Sequence, residues 1–319
     1  MRKVSILVPV YGVENYIEKC ATSLFGQTYE NIEYVFVNDC TKDSSIDVLK
    51  SVLKEYPNRR EQVRILNHDR NRGLAAARNT ALDACTGDYI WHVDSDDWIE
   101  INAVEKLVNK AEQNKSDIII FDNYNVLANK TILCKADFNN KELYISNILL
   151  HTTPGSVWNK FFNAEFYRKS GIRSIEGLNH GEDYVIIPKL LHKAKVIDVL
   201  EEPLYYYNLT NQGSYTRNIS LESIKNVHQA YISNMEYFLK ADDNEKFKDV
   251  IKVLPLRSML ALIKTAKKDR YNDIIKCYPE CMARTWENIS IIDKVILFLL
   301  KTKMYSILSA MIRVYKYMM

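Results

Sequence analysis

The amino-acid sequence predicts an α/β protein, a mostly parallel, Rossmann-like sheet flanked by helices and continued by a C-terminal helical extension. Two observations carry this. Strand-type and helix-type apolar patterns alternate through roughly the first 120 residues, and from Leu221 onward the pattern is almost wholly helical.

The elements read in order. Val4 to Val10 is a β-branched apolar run, Tyr16 to Phe25 has helical apolar spacing, and Ile32 to Val37 is again strand-like. Ser44 to Tyr56 reads as a helix with Ile46, Leu49, Val52 and Leu53 on one side. Val63 to Leu66 reads as a strand, Leu74 to Ala84 as an alanine-rich helix, and Asp88 to Val93 as a strand. Ile101 to Asn114 is helical, and Asp117 to Phe121 is a short buried strand. Repeated βαβ units imply parallel pairing, and ligands then bind beyond the carboxyl ends of the strands. Past about residue 124 the strand signal thins into shorter elements and Gly/Pro-marked loops. The expected division is 1–220 for the sheet domain and 221–319 for the helical extension.

Composition bounds the function. The 319 residues are 47% hydrophobic and 26% charged, an ordinary globular make-up, and the net charge of +3 is too small to argue for nucleic acid. Six scattered cysteines without paired C-x-x-C spacing, and an amino terminus that starts a strand, predict a reduced, cytoplasmic protein. Cys277 and Cys281, one helical turn apart, read as packing and not as a metal site. No run approaches the roughly eighteen apolar residues of a membrane span, so membrane contact is expected only at the surface.

Chemistry concentrates in His92-Val93-Asp94-Ser95-Asp96-Asp97-Trp98, where three carboxylates follow the apolar stretch Tyr89-Ile90-Trp91. Crowded like charges raise one another's pKa unless a cation offsets them. Strand alternation would point Asp94 and Asp96 the same way, as hard oxygen ligands suited to Mg²⁺ or Mn²⁺ beside a diphosphate.

Pro9, Val10 and Tyr11 end the first strand in extended chain and place an aromatic ring where a nucleobase can lie. Asp39 ends the second strand and can accept from a base N–H. Its plainer role is to cap the helix at Ser44, which Asp43 fits better. Gly73 sits where a helix begins, with free N–H groups for an anion, and Arg78 one turn on can reach a diphosphate or brace the acidic run.

Five segments stand in order: VSILVPVYGVENYIEKCATSLFGQTY, IEYVFVNDCTKDSS, NRGLAAARNTAL, GDYIWHVDSDDWI and HGEDYVIIPKLL. Together, over roughly residues 3 to 217, they resemble the family 2 glycosyltransferases with the GT-A fold. The resemblance implies that Asp39 contacts uracil, that Asp94 meets the ribose or the metal's water shell, and that Asp96 ligates the metal. It also implies that Asp183 deprotonates the acceptor hydroxyl, although a helix N-terminus makes a carboxylate a weaker base. Trp98, Trp158 and Glu182 are expected on the acceptor side, and Arg217 in a loop closing over the diphosphate. Cys40-Thr41 stands where many relatives carry Gly-Ser.

The expected function is inverting, metal-dependent transfer of a sugar from a nucleotide donor, UDP-linked by the presence of Asp39, to a hydroxyl of a bacterial surface glycan or lipid-linked oligosaccharide. The competing readings are a sugar-phosphate nucleotidyltransferase and a noncatalytic nucleotide-binding scaffold. The first would want a glycine-rich loop with Arg and Lys after the first strand, where Val10-Tyr11-Gly12-Val13-Glu14 has one glycine and no base.

From Ile289 on, Lys294, Lys301, Lys303, Arg313 and Lys316 face a single acid, Asp293. Ile292, Val295, Ile296 and Leu299 form one helical face, and Leu308, Met311, Ile312 and Tyr315 a second, with a break near Lys301-Thr302-Lys303. These faces are expected to lie on the inner face of the cell membrane or, alternatively, to pack inside the protein or against a second copy in a homodimer.

Overall fold

The computed structural model describes residues 1–211, 219–284, 286 and 289–318. The first strand, β1 (Val4–Val10), is buried along its whole length. It pairs in parallel with β2 (Ile32–Asn38), which pairs in parallel with β3 (Val63–Asn67), and on its other side with β4 (Tyr89–His92). Beyond β4 the sheet turns mixed. The remaining strands are β5 (Trp98–Ile99), β6 (Ile118–Val126), β7 (Thr131–Cys134), β8 (Lys160–Asn163) and β9 (Ile197–Asn208). The order is β3-β2-β1-β4-β8-β6-β9-β5, with β7 on β6; β8 is antiparallel to β4 and β6, while β6 and β9 run parallel.

Helices α1 (Ile17–Phe25), α2 (Ser45–Glu55), α3 (Leu74–Ala84) and α4 (Ala103–Asn114) connect the early strands. Helix α3 packs on β1 and β2, and its Ala75, Ala76 and Ala77 are buried. Ser44 is the N-cap residue of α2 and makes no side-chain cap bond; Asp43, one residue before it, accepts from the Ser45 amide at 3.2 Å, and Asp39 takes no part. Then follow α5 (Lys141–Leu149), α6 (Ala164–Ser170) and α7 (Glu182–Lys193). Met1–Ile145 with Gly155–Gly213 make one compact unit; Ser146–Pro154 with Ser214–Met319 make another.

Four features depart from the sequence expectation. The fourth strand stops at His92, and Asp94–Asp97 form a turn closed by the Asp97 amide on the Asp94 carbonyl at 3.1 Å. The cause lies in β1. Leu7 still accepts from Val93 at 3.0 Å, but Pro9, two residues on and facing the same side, has no N–H to continue the ladder. Strand alternation therefore does not orient Asp94 and Asp96. Second, β6 runs on past Phe121 to Val126. Third, the long strand β9 lay hidden, because Glu201-Glu202-Pro203 interrupts its pattern. The β6–β9 register shifts around Phe121–Asn123, opposite that interruption.

The fourth departure is in the helical unit, which contains α8 (Leu221–Lys240), α9 (Lys248–Thr265), α10 (Tyr271–Cys277), α11 (Pro279–Ala283), α12 (Ile291–Lys301) and α13 (Tyr305–Met318). The break between α12 and α13 falls where expected, with Lys303 in the left-handed region at φ 56°. The faces differ. Helix α12 buries Asp293, Ile296, Leu297, Leu299 and Leu300, whereas Ile292 and Val295 stay exposed; Leu308 and Ile312 of α13 are buried. Apolar residues surround α12, so periodicity alone selects no face. Asp293 lies on the buried face, turned inward onto Arg257 at 2.7 Å and Lys264 at 3.4 Å. The Tyr315 and Lys316 side chains lie outside the described residues.

Candidate active site

The carboxyl ends of the parallel strands bring Tyr11, Asp39, His68 and Asp94 to one edge of the sheet, the position an open α/β sheet reserves for ligands. The three acids of the turn have distinct surroundings. Asp94 Oδ1 accepts from Arg78 Nη2 at 2.9 Å. Asp96 Oδ2 accepts from Asn211 Nδ2 at 2.8 Å, and burial together with the nearby Asp94 raises its pKa. Asp97 is fully buried, accepting from the Tyr205 hydroxyl at 2.6 Å and the Asn208 amide at 2.7 Å, so it fastens the turn to β9. Burial, with Asp96 and Asp94 beside it, pushes Asp97 well above the carboxylate range.

Arg78 is the hub. Projecting from α3 and 3% exposed, it pairs with Asp94, with Glu182 at 3.3 Å, and with Asp183. Burial opposes the guanidinium charge, but Asp94 and Glu182 outweigh it and hold its pKa above the ordinary value. Asp183 lies in the first turn of α7, after Gly181 in left-handed conformation, and its Oδ2 accepts from the Val157 amide at 2.9 Å. Glu182 is buried, with its pKa raised by burial against the pull of Arg78. It faces the guanidinium, not an open acceptor wall.

At the end of β1, Tyr11 is exposed, and Pro9 is buried within the strand. Asp39 is engaged through both carboxylate oxygens. Its Oδ1 accepts from the Arg72 amide at 2.8 Å and lies 2.6 Å from His68 Nδ1, and its Oδ2 accepts from the Gly73 amide at 2.7 Å. It thus moulds the loop entering α3. Gly73 has φ 87°, and a Cβ there would lie 2.2 Å from the Asn179 amide group, so the room glycine creates is taken by Asn179 rather than left for an anion. Asn179 Oδ1 also accepts from the Ala75 amide at 3.3 Å. Cys40 sits at φ 57°, left-handed backbone that suits the glycine of its relatives, and Thr41 Oγ1 accepts from Gly12 at 2.9 Å as a serine hydroxyl could.

The aromatic residues expected on the acceptor side are occupied. Trp98 stacks on Tyr206 at 5.3 Å and has Lys19 Nζ over its ring at 3.1 Å. Trp158 is buried and stacks on Tyr205 at 4.6 Å and Tyr207 at 5.1 Å, while its carbonyl accepts from Trp91 Nε1 at 2.7 Å. Both read as braces for the site and not as sugar-stacking faces. Lys160, fully buried, donates to the Ser156 carbonyl at 2.6 Å and to Asn159 Oδ1 at 2.7 Å, clamping the segment that carries Val157. Arg217 lies outside the described residues. Sequence reasoning missed His68, Asn179, Tyr205, Asn208 and Asn211. The last three stand together in YYYNLTN, whose only signal was aromatic density.

The family model described as Glycosyl transferase family 2 matches residues 5–174, more than half of the chain. This chain belongs to glycosyl transferase family 2. Among curated relatives, Glycosyltransferase GlyA of Streptococcus pneumoniae serotype 4 is 32% identical over 67% of this chain and 32% of its own length. The poly(ribitol-phosphate) beta-glucosyltransferase of Bacillus spizizenii is 32% identical over 67% of this chain and 33% of its own length. The chain thus spans about a third of these two relatives. S. aureus TarS 1–349, in complex with UDP-GlcNAc, matches with TM-score 0.69 at 18% identity, covering 99% of this chain and 92% of that one. The mannosyltransferase PcManGT of Pyrobaculum calidifontis, with GDP-Man and Mn²⁺, matches with TM-score 0.57 at 14% identity over 98% and 84%. At these identities the likeness is one of fold, and the GT-A architecture expected from the sequence holds.

Proposed function

We propose that this member of the family transfers a sugar, with inversion, from a UDP-linked donor to a hydroxyl of a bacterial surface glycan or lipid-linked oligosaccharide, with a divalent cation. The observation that carries the reading is the single guanidinium of Arg78 joining Asp94 of the acidic turn to Asp183 of α7. One side of the cluster suits a nucleotide diphosphate, and the other offers a carboxylate to an incoming hydroxyl. The UDP-GlcNAc complex of TarS supports the donor class, and the relative named for poly(ribitol-phosphate) supports the acceptor class.

The donor set suits Mg²⁺ or Mn²⁺. Among the described residues no three His, Cys, Asp or Glu side chains gather into a cluster able to hold an ion. Asp94 and Asp96 supply two hard oxygens, and such cations commonly take only one or two carboxylates beside substrate phosphates. Burial and the neighbouring Asp94 raise the Asp96 pKa, and a bound cation would oppose both effects. A bound cation would neutralise the developing diphosphate charge as the glycosidic bond breaks.

Tyr11 offers its ring to the uracil, while Asp39 shapes the loop beside it and keeps lone pairs for the base N–H. Arg78 holds Asp94 toward the donor and Asp183 toward the acceptor. In one displacement the acceptor oxygen bonds to the anomeric carbon, the bond to the diphosphate oxygen breaks, and Asp183 receives the acceptor's proton. Asp183 is already held by Arg78 and by the Val157 amide. Proton loss is then late, after the anomeric carbon has gained oxocarbenium character. No second nucleophilic carboxylate is needed.

Incubation with a panel of sugar nucleotides, with and without Mn²⁺ and lipid-linked acceptors, tests the reading. It requires release of UDP from one donor, accelerated by an acceptor. Release of pyrophosphate from a nucleoside triphosphate and a sugar phosphate would instead establish a nucleotidyltransferase, and no turnover with any donor a binding scaffold.

A further inference from the structure

The solvent side of α12 is as apolar as its buried side. Ile291 is 80% exposed and Phe298 59%, with Val295 between them and Ile292 at the margin. On a helical projection Ile291, Val295 and Phe298 form one stripe, opposite the buried Ile296, Leu297 and Leu300. A stripe of large apolar side chains turned to water on a single helix marks an interaction surface.

The charges beside it have one sign. Lys294 and Lys301 are exposed along the flank next to Phe298, and Lys303 and Arg313 are exposed in the following turn and helix. The only acid of the segment, Asp293, is turned inward and neutralised by Arg257 and Lys264. The charged side chains of α12 and α13 that face solvent are therefore all cationic among the described ones, and Lys294 and Lys301 line one flank of the apolar stripe. Met304 and, on α13, Ile307 and Val314 add exposed apolar groups to the same hairpin.

From this juxtaposition we infer that the α12–α13 hairpin seats the protein on an anionic phospholipid surface, burying the Ile291–Val295–Phe298 stripe in the acyl boundary and setting Lys294 and Lys301 among the headgroups. A helix lying in the interface needs this pairing of an apolar face with basic flanks. No helix among the described residues is long and apolar enough to cross a membrane, so the contact is lateral. A second copy of the chain would bring the same cationic borders together, whereas an anionic bilayer attracts them. The surface is independent of the chemistry proposed for Asp183 and Asp96, and its test does not require turnover.

The test is co-flotation of the full chain with vesicles of phosphatidylcholine alone or mixed with phosphatidylglycerol, at low and high salt, with light scattering in parallel. The protein is expected to float with the anionic vesicles, much less with the neutral ones, and less as salt rises. Replacing Ile291→Asn with Phe298→Asn should weaken partitioning at least about tenfold without changing circular dichroism, because both side chains already face water. Lys294→Ser and Lys301→Ser should each weaken it about fivefold on anionic vesicles only. Absence of flotation, binding unaffected by these variants, or a wild-type oligomer that the Ile291→Asn, Phe298→Asn variant splits would each overturn the assignment, the last giving the face to a second copy.

Discussion

The hydroxyl of Tyr205 donates to Asp97 Oδ2 at 2.6 Å and accepts from the Asp94 amide at 3.0 Å, so one phenol fixes both ends of the acidic turn. The ring of Tyr205 meanwhile stacks on Trp158, beside the residue whose amide holds Asp183. The acidic turn and the Asp183 carboxylate, proposed as the metal side and the base side, are therefore built on one buried aromatic stack, which explains why Asp97, fully enclosed, is structural despite its place in the acidic run.

Replacing Tyr205→Phe keeps the stack but strips Asp97 and the Asp94 amide of a partner. Stability should fall by about 1–3 kcal/mol, the cost of an unsatisfied buried polar group. The concentration of Mn²⁺ needed for half-maximal turnover should rise. Urea denaturation and a metal titration check the two effects, and an unchanged metal requirement would separate the turn from cation binding.

Arg78 compensates three carboxylates in a buried setting. Arg78→Met should cost about 3–5 kcal/mol, because breaking a buried ion cluster leaves charge without a partner. Adding Asp94→Asn and Glu182→Gln to it should recover part of the loss, a coupling that chemical denaturation of the multiple variant reads directly.

Much of this was legible and some was not. Helix α3 was readable to the residue, because Gly73 opens an alanine-rich run that ends just before Cys85-Thr86-Gly87. Asp94, Asp96 and Asp183 stood out as carboxylates in motif order, and the structure gathers Asp94 and Asp183 around Arg78. The acidic turn was misread as strand because its cause, the missing amide of Pro9, lies in another element. Strand β9 was hidden by Glu201-Glu202-Pro203. Trp98 and Trp158 looked available to an acceptor because sequence does not reveal that Tyr206, Lys19, Tyr205 and Tyr207 cover them. The buried face of α12 carries Asp293, whose partners Arg257 and Lys264 stand on α9, a pairing that no local pattern encodes.

Cys40 gives a clean test of the backbone reading. At φ 57° it bears a left-handed penalty of about 1–2 kcal/mol that glycine avoids, offset by the larger chain entropy glycine loses. Cys40→Gly should therefore be stabilising by a few tenths to about 1 kcal/mol. Thermal denaturation decides it, and a clear loss would mean that the Cys40 side chain contributes packing the conformational argument omits.

Lys160 should leave a signature in pH. Burial lowers its pKa to about 7, whereas the unfolded chain holds that proton to about pH 10.4. Between these values unfolding takes up a proton, so stability rises with pH; below 7 the buried charge weakens the fold. Relative to Lys160→Met, the wild type should gain about 1.4 kcal/mol per pH unit from about pH 7 to pH 9. Parallel pH dependences in denaturation experiments on the two proteins would show that Lys160 stays charged in the fold.

The division of labour across Arg78 is the central claim, and calorimetry of UDP-sugar binding with Mn²⁺, paired with transfer rates, tests it on two variants. Asp96→Ala should lose metal-dependent donor binding while keeping or gaining stability, since it removes a buried carboxylate crowded by Asp94. Asp183→Asn should bind donor almost as the wild type does yet transfer about 10² or more times slower. Donor affinity retained by Asp96→Ala in the presence of metal, or transfer undiminished in Asp183→Asn, would contradict the account.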